Sequence, residues 1–138
     1  MIYLLDTCVV INFSRRKRDW VEVLRRLVKE KDTQLAVSVI TYAELRYGAT
    51  RSVNPQKERD KIKSFIDDFL IEIIPITAEV ADEFAELKRE VEKTGAPLDD
   101  FDLLIAATAK VNDATLLTDN QKHFERVGGI KIYENCFF

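Results

Sequence analysis

The sequence predicts a three-layer α/β/α domain built around a central, mainly parallel β-sheet. Short apolar runs of the kind found in buried strands alternate along the chain with segments of helical periodicity. The 138 residues are the length of one ordinary domain, and the four Gly and three Pro leave room only for short connections. Strands that alternate with helices imply right-handed crossovers, and hence a parallel sheet covered on both faces. Residues 1–138 are therefore expected to form a single domain.

The apolar runs and the helical periods place the individual elements. Five strands are predicted, at residues 2–5, 35–39, 72–76, 115–118 and 130–133. The third contains Pro75, which restricts it to a short or edge strand because proline cannot donate to a ladder. Five helices are predicted, at residues 20–30, 41–49, 58–70, 79–93 and 101–111. The fourth ends before Gly95, which suits a left-handed cap, and the fifth is so apolar that we expect it at the centre.

The composition argues against several classes of protein. No apolar run reaches the length of a membrane span, and the N-terminus lacks the basic region of a signal peptide. The two cysteines, Cys8 and Cys136, form neither a disulfide framework nor a metal-ligand spacing. We therefore expect a reduced, cytoplasmic protein that has no membrane association.

The net charge of −3 does not indicate a protein that binds nucleic acid. A nucleic-acid substrate would therefore require a local basic surface or bridging metal ions. One run of basic residues meets the first condition, and it consists of Arg15, Arg16, Lys17 and Arg18. These four side chains either contact RNA or form a solvated turn before a helix, and the sequence leaves both interpretations open.

Four acidic residues stand where strands end or helices begin. Asp6 follows the first strand, Glu44 lies in the first turn of the helix after the second, Asp102 opens the most apolar helix, and Asp119 follows the fourth strand. Since all strands of a parallel sheet end at one edge, where ligands bind in a crevice, we expect these carboxylates to share that crevice. Carboxylates crowded in one crevice repel each other, and a bound cation resolves the repulsion.

Each acid also has a purely structural interpretation. Thr41 and Glu44 fit a capping box, Asp102 fits an acid favoured by the helix dipole, and Asp119 fits a turn. Asp6 is harder to interpret in this way. A carboxylate directly after four apolar residues is expected to be partly buried, where an unpaired charge is costly.

The available donors favour a hard cation. Oxygen-only ligands suit Mg²⁺ or Mn²⁺, and such an ion supports phosphoryl chemistry because it activates water and neutralises developing charge. His123 is the only histidine, so we expect a surface or packing residue beside Phe124 and not part of a zinc site. Cys8 has no histidine at a usable spacing, which argues against a cysteine nucleophile.

Four motifs, in this order, resemble those of the PIN-domain ribonucleases. The first is Asp6-Thr7 after the first strand, and the second is the segment Val-Ser-Val-Ile-Thr-Tyr-Ala-Glu-Leu-Arg-Tyr-Gly at residues 37–48. The third is Asp102 at the start of an Ala-rich apolar helix, within residues 97–109. The fourth is the Thr-Asp-Asn segment with its following Phe, within residues 116–124. Each motif alone is weak, whereas the four together cover nearly the whole chain. The length and the closing segment are most similar to VapC-type toxins of toxin–antitoxin pairs.

The resemblance implies a PIN-like fold, an activity and a set of site residues. Asp6, Glu44 and Asp102 would form a catalytic triad that binds Mg²⁺ or Mn²⁺, with Asp119 near a second ion and Asn120 as the alternative at that position. Three hydroxyl groups, of Thr7, Ser38 and Thr118, would orient these carboxylates. The alternative is that they only cap helices. The reaction would be hydrolysis of RNA phosphodiester bonds by metal-activated water. The implied partners are an RNA substrate, a VapB-type antitoxin and a second copy of the chain in a homodimer.

Three other functions fit parts of the sequence. A receiver-type signalling domain binds Mg²⁺ in an acidic pocket, but it needs adjacent acids after the first strand, where this chain has Thr7 and Cys8. A phosphatase with an Asp nucleophile needs an acid at the position of Cys8. A catalytically inert PIN-like domain that only binds RNA or protein stays open, although the three core acids favour an enzyme.

Overall fold

A computed structural model describes residues 1–134 of the chain, without the side chain of Arg18. The described residues form one five-stranded sheet in which every neighbouring pair of strands is parallel. Its strands are β1 (Ile2–Leu5), β2 (Gln34–Ser38), β3 (Glu72–Ile74), β4 (Thr115–Leu117) and β5 (Lys131–Ile132). The predicted parallel sheet is confirmed, and β3 is a short edge strand as Pro75 requires.

The described residues form seven helices, two more than the sequence predicts. They are α1 (Thr7–Ser14), α2 (Arg18–Lys29), α3 (Val39–Thr50), α4 (Pro55–Asp68), α5 (Ala78–Lys93), α6 (Asp100–Val111) and α7 (Gln121–Phe124). The two additional helices are α1, whose apolar, β-branched residues show no polar face, and α7, whose single turn carries no periodicity.

The strand order β3-β2-β1-β4-β5 determines where a crevice opens. From β1 the chain builds outward through β2 to β3, and then returns to place β4 on the other side of β1. The order therefore reverses between β1 and β4, and ligands bind beyond the carboxyl ends of strands at such a switch point. The Asp6 amide donates to the Leu117 carbonyl at 2.9 Å, so this pairing continues just past both strands.

Two apolar clusters cover the two faces of the sheet and complete the three layers. One cluster joins the sheet residues Leu4, Ala36 and Leu116 to α5 and α6. The other joins sheet residues such as Tyr3 and Leu5 to α1, α2 and α4. Helix α6 contributes six buried residues, which confirms its predicted central position. No helix among residues 1–134 combines the length and apolar character that crossing a membrane requires.

Of two predicted helix caps, the structure confirms the one at the end of α5 and contradicts the one at the start of α3. Gly95 follows α5 with a φ of 76°, which confirms the left-handed cap. The predicted capping box at Thr41 and Glu44 is wrong, because α3 begins at Val39 and is capped by Ser38. Glu44 consequently lies beyond the first turn of α3, and its carboxylate is not used to cap that helix.

Candidate active site

Asp6 is the most buried acid at the switch point, with 4% of its surface exposed. The Thr7 amide donates to Asp6 Oδ1 at 2.8 Å, the Thr118 hydroxyl donates to Oδ2 at 2.8 Å, and the Cys8 thiol donates to Oδ2 at 3.2 Å. Asp6 is also the N-cap of α1, where the helix dipole favours negative charge. These contacts stabilise a carboxylate that would otherwise be costly to bury.

Glu44 approaches Asp6 through a shared neighbour. The Thr7 hydroxyl donates to Glu44 Oε1 at 2.8 Å and lies 3.0 Å from the hydroxyl of Thr41. Burial raises the pKa of Glu44, the hydrogen bond from Thr7 opposes this, and the charges of Asp6 and Asp102 raise the pKa further. Glu44 therefore belongs electrostatically to the same site as the other two acids.

Asp102 reaches the site from the first turn of α6, whose N-cap is Asp99. Burial raises the pKa of Asp102, and the nearby charge of Asp6 raises it further. His123 lowers the pKa of Asp102, because its Nε2 lies 3.1 Å from Asp102 Oδ2. From the sequence, His123 was expected to be a surface or packing residue beside Phe124. That packing exists, with ring centroids 5.9 Å apart, but the contact with Asp102 was missed.

The three acids provide the donor set that a divalent metal ion needs. They are oxygen donors from three separate elements, and the charge of Asp6 raises the pKa of both Glu44 and Asp102, as crowded carboxylates do. Within residues 1–134, however, no three His, Cys, Asp or Glu side chains already stand as a closed metal cluster. The chemistry of the donors fits Mg²⁺ or Mn²⁺, and rotation of side chains would be needed to converge them.

Asp119 is held by helices α1 and α2. Its carboxylate accepts hydrogen bonds from the Asn12 amide and, at 2.7 Å, from the Trp20 indole. The neighbouring Asn120 donates its backbone amide to the Thr118 hydroxyl at 3.0 Å. Asp119 thus connects the end of β4 to the α1–α2 side of the molecule, a contact that no pattern in the sequence indicates. Its predicted place near a second ion stays a prediction, as does the alternative at Asn120.

The hydroxyl groups suggested by the sequence divide into two kinds. Thr7 and Thr118 contact carboxylates of the site directly. Ser38 accepts a hydrogen bond from the Ile40 amide at 3.1 Å, so it caps α3, which was the alternative interpretation for this residue. Two of the three hydroxyls therefore have the geometry to orient acids of the site.

Cys8 contacts Asp6, but its thiol has low reactivity. Burial and the charge of Asp6 raise the pKa of the Cys8 thiol to about 12. A thiol with that pKa is protonated near neutral pH and is a poor nucleophile. The expectation that this cysteine is not a nucleophile is thus consistent with its surroundings, while Cys136 lies outside the described residues.

A sequence profile of the PIN domain matches residues 3–130, which is most of the chain. This chain belongs to the PIN-domain family. Ribonuclease VapC2 of Rickettsia felis is 34% identical to it over 135 residues, with 98% of each chain covered. Ribonuclease VapC1 of Methanocaldococcus jannaschii is 35% identical over 133 residues, covering 95% of this chain and 86% of the relative.

Solved structures agree with this assignment. The crystal structure of VapBC2 from Rickettsia felis, bound to a DNA fragment from the promoter, matches with a TM-score of 0.88 and 32% identity. The match covers 96% of this chain and 98% of that one. The PIN-like fold and the resemblance to VapC ribonucleases that the motifs indicate are therefore confirmed.

The first three residues of the basic run of this PIN domain lie in the turn between α1 and α2, and Arg18 begins α2. Arg15, Arg16 and Lys17 are exposed, and Arg16 adopts a positive φ of 55°. The side chain of Arg18 lies outside the described residues. An exposed turn agrees with both interpretations of the run, so contact with RNA stays a prediction.

A groove of about 1810 Å³ extends from this basic turn to Glu44. It passes between α1 and α4, and Glu44 lies on its wall. Apolar side chains line part of it, among them Phe13, Leu45 and Phe65, while Arg25 and Lys57 lie among its charged residues. This surface combines an apolar lining with a direct approach to one of the site acids.

Proposed function

We propose that this PIN domain is an endoribonuclease that depends on Mg²⁺ or Mn²⁺ and serves as the toxin of a VapBC-type toxin–antitoxin pair. One observation carries the proposal. Beyond the switch point of the sheet, hydroxyl groups donate to Asp6 and Glu44, and the charge of Asp6 raises the pKa of both Glu44 and Asp102. The names of the VapC relatives support the same activity.

The residues would divide the work of hydrolysis. Asp6 and Asp102 would hold the metal ion, which supplies an activated water and neutralises charge on the scissile phosphate. Glu44 has one oxygen engaged by Thr7, which leaves its other oxygen to orient the attacking water. Thr7 and Thr118 would keep the carboxylates in place, since groups around a metal site orient its ligands.

Metal-dependent cleavage of a mixed RNA pool tests this function. Purified protein should cleave RNA with Mg²⁺ or Mn²⁺ and stop when EDTA is in excess. Asp102→Asn should lower the cleavage rate by about 100-fold or more, because even groups that merely support metal ligands often contribute 10–100-fold. The same variant serves as the control for contaminating nuclease. Cleavage that persists in EDTA and in this variant would exclude the proposed reaction.

An antitoxin partner follows from the same reasoning. A matching structure from Klebsiella pneumoniae, at 27% identity and a TM-score of 0.70, is named as a toxin–antitoxin complex. The groove beside Glu44 offers an apolar surface that a partner segment can cover. A basic side chain of that segment, best an arginine, would neutralise the acidic crevice. We place the activity in the cytoplasm, where cellular RNA is the substrate, and we expect the toxin to form a homodimer.

Expression with and without the neighbouring antitoxin gene tests the pairing. The toxin alone should arrest growth, and the antitoxin should relieve the arrest and inhibit RNA cleavage by the purified protein. Asp102→Asn expressed alone should be harmless at equal protein level. An adjacent antitoxin that binds without inhibiting cleavage would contradict this regulation while leaving the ribonuclease activity standing.

A further inference from the structure

His123, which is not one of the site acids, contacts the carboxyl group of Asp102. Its Nε2 atom lies 3.1 Å from Asp102 Oδ2, although the two residues belong to different helices, α7 and α6. The side chain of His123 is 41% exposed and that of Asp102 is 30% exposed, so the contact lies at the mouth of the site. It is the only histidine in the sequence.

The His123 ring packs on one side against a buried aromatic ring. The ring meets Phe124 edge to face at an interplanar angle of 77°, and Phe124 is fully buried in the core. The His123 amide donates to the Asn120 carbonyl at 3.0 Å, which ties the residue to the turn after β4. The imidazole is thus carried by a fixed part of the fold, unlike a side chain that moves freely in solvent.

The contact with His123 complements the contacts of the other two acids. Asp6 accepts hydrogen bonds from Thr7, Cys8 and Thr118, and Glu44 accepts one from Thr7. Asp102 has its corresponding contact with His123, through Oδ2. A neutral imidazole that carries its proton on Nε2 donates to Oδ2 and restrains the rotation of the carboxyl group, because this hydrogen bond engages only one of its two oxygens.

We propose that His123 is a positioning residue that holds Asp102 in the orientation needed to bind Mg²⁺ or Mn²⁺. This inference rests on the proposed function, because it assumes that Asp102 is a metal ligand. His123 itself stays outside the coordination sphere and donates from Nε2 to Asp102. Restraining a ligand in advance lowers the free-energy cost of assembling the site, which the structure shows in a state that has not converged.

Titration of the full-length protein with Mn²⁺ in the absence of RNA tests this role. Calorimetry at about pH 8 gives the Mn²⁺ dissociation constant of each variant. His123→Ala should weaken Mn²⁺ binding by about tenfold. His123→Gln should bind within about threefold of the wild type, because the Gln amide reaches the position of Nε2. His123→Asn should resemble His123→Ala, because its shorter amide stops near the position of Nδ1.

Two further variants separate this inference from its premise. Lys122→Gln changes an exposed neighbour on the same helix and should bind Mn²⁺ no more weakly than the wild type. Asp102→Asn should lose most Mn²⁺ binding. If Asp102→Asn binds Mn²⁺ as the wild type does, the proposed metal site fails. If Asp102→Asn loses binding while folded His123→Ala retains it within twofold, the metal site stands and the role of His123 is refuted.

A spectroscopic readout tests the hydrogen bond itself. The single histidine makes the ring signals in a ¹H–¹⁵N spectrum unambiguous. The wild type should show the tautomer that is protonated on Nε2, and Asp102→Ala should shift the ring toward a mixture of tautomers. An Nδ1 tautomer in the wild type would overturn the proposal, because the ring could not then donate to Asp102.

Discussion

The hydroxyl of Thr118 donates a hydrogen bond to Asp6 Oδ2 at 2.8 Å across 112 positions of sequence. Both residues are buried, and they lie just beyond β4 and β1, where the strand order reverses. This contact therefore joins the two elements that form the crevice and stabilises the negative charge of Asp6 within it. Fold stability and site geometry depend here on the same bond.

Removing that hydroxyl should destabilise the protein. Thr118→Val keeps the shape of the side chain but leaves the Asp6 carboxylate with one donor fewer. The free energy of unfolding should fall by about 1.5–3 kcal/mol, as is typical for a hydrogen bond to a charged group. Urea denaturation followed by circular dichroism measures this, with Thr118→Ser as the matched control that keeps a hydroxyl. Equal stability of the Val and Ser variants would show that the bond contributes nothing.

The metal-free protein should lose stability as its acids ionise. The pKa values of Glu44 and Asp102 are raised in the folded state, chiefly by burial, so the folded protein binds more protons than the unfolded chain between the normal and the raised values. Stability should accordingly fall as pH rises through that window. Asp102→Asn should reduce this decline, which thermal unfolding in EDTA from about pH 4 to pH 7 can follow.

Asp113, whose pKa is lowered in the folded state, provides the control for this pH dependence. Lys131 donates to Asp113 and lowers the pKa of that exposed carboxyl. Asp113→Asn should therefore remove a small gain in stability on raising the pH, so the two variants should change the slope in opposite directions. The same sign of change in both variants would mean that the raised pKa of Asp102 is not the cause of the decline.

Asp119 should matter more for folding than for metal binding. Asp119→Ala removes the acceptor for Asn12 and Trp20 and should lower the free energy of unfolding by about 1–3 kcal/mol. Asp119→Asn keeps an acceptor for Trp20, and Asn12 can turn its amide to match, so this variant should be nearly as stable as the wild type. Its cleavage rate at saturating Mn²⁺ should also stay within about threefold of the wild-type rate.

Asn120→Ala tests whether Asn120, and not Asp119, lies near a second metal ion. A titration of cleavage rate against Mn²⁺ for the variants at Asp119 and Asn120 distinguishes a ligand from a structural contact. A folded Asp119→Asn protein that needs far more Mn²⁺ would assign Asp119 to a second ion. A larger requirement in Asn120→Ala would assign that position to Asn120.

Cys8 should resist alkylation in the folded protein. A thiol with a pKa of about 12 is almost entirely protonated at about pH 8, and the thiolate is the reactive form. Iodoacetamide should therefore modify Cys8 far more slowly than it modifies glutathione, as peptide mass spectrometry can measure. Unfolding in urea should restore an ordinary rate. Rapid modification of folded protein would contradict the assigned environment, and loss of cleavage in Cys8→Ser would show a role beyond donation to Asp6.

The sequence by itself determined the architecture and the principal acids. Alternation of apolar runs with helical periods is a local property, and it sufficed to predict the five strands, five of the helices and the parallel sheet. The positions of Asp6 and Asp102 at element ends placed them at one edge, because all strands of a parallel sheet end there. The Glu44 capping box failed, since the start of a helix depends on which hydroxyl caps it, and Ser38 does so here.

Only the tertiary structure decided which side chains meet at that edge. Thr118 reaches Asp6, His123 reaches Asp102, and Trp20 reaches Asp119 across 99 positions of sequence. Such contacts leave no periodic or compositional signal, because a hydrogen bond of about 3 Å depends on strand order, helix placement and side-chain rotation together. The sequence therefore specifies the acids and the edge, while the packed fold determines which groups orient each carboxylate.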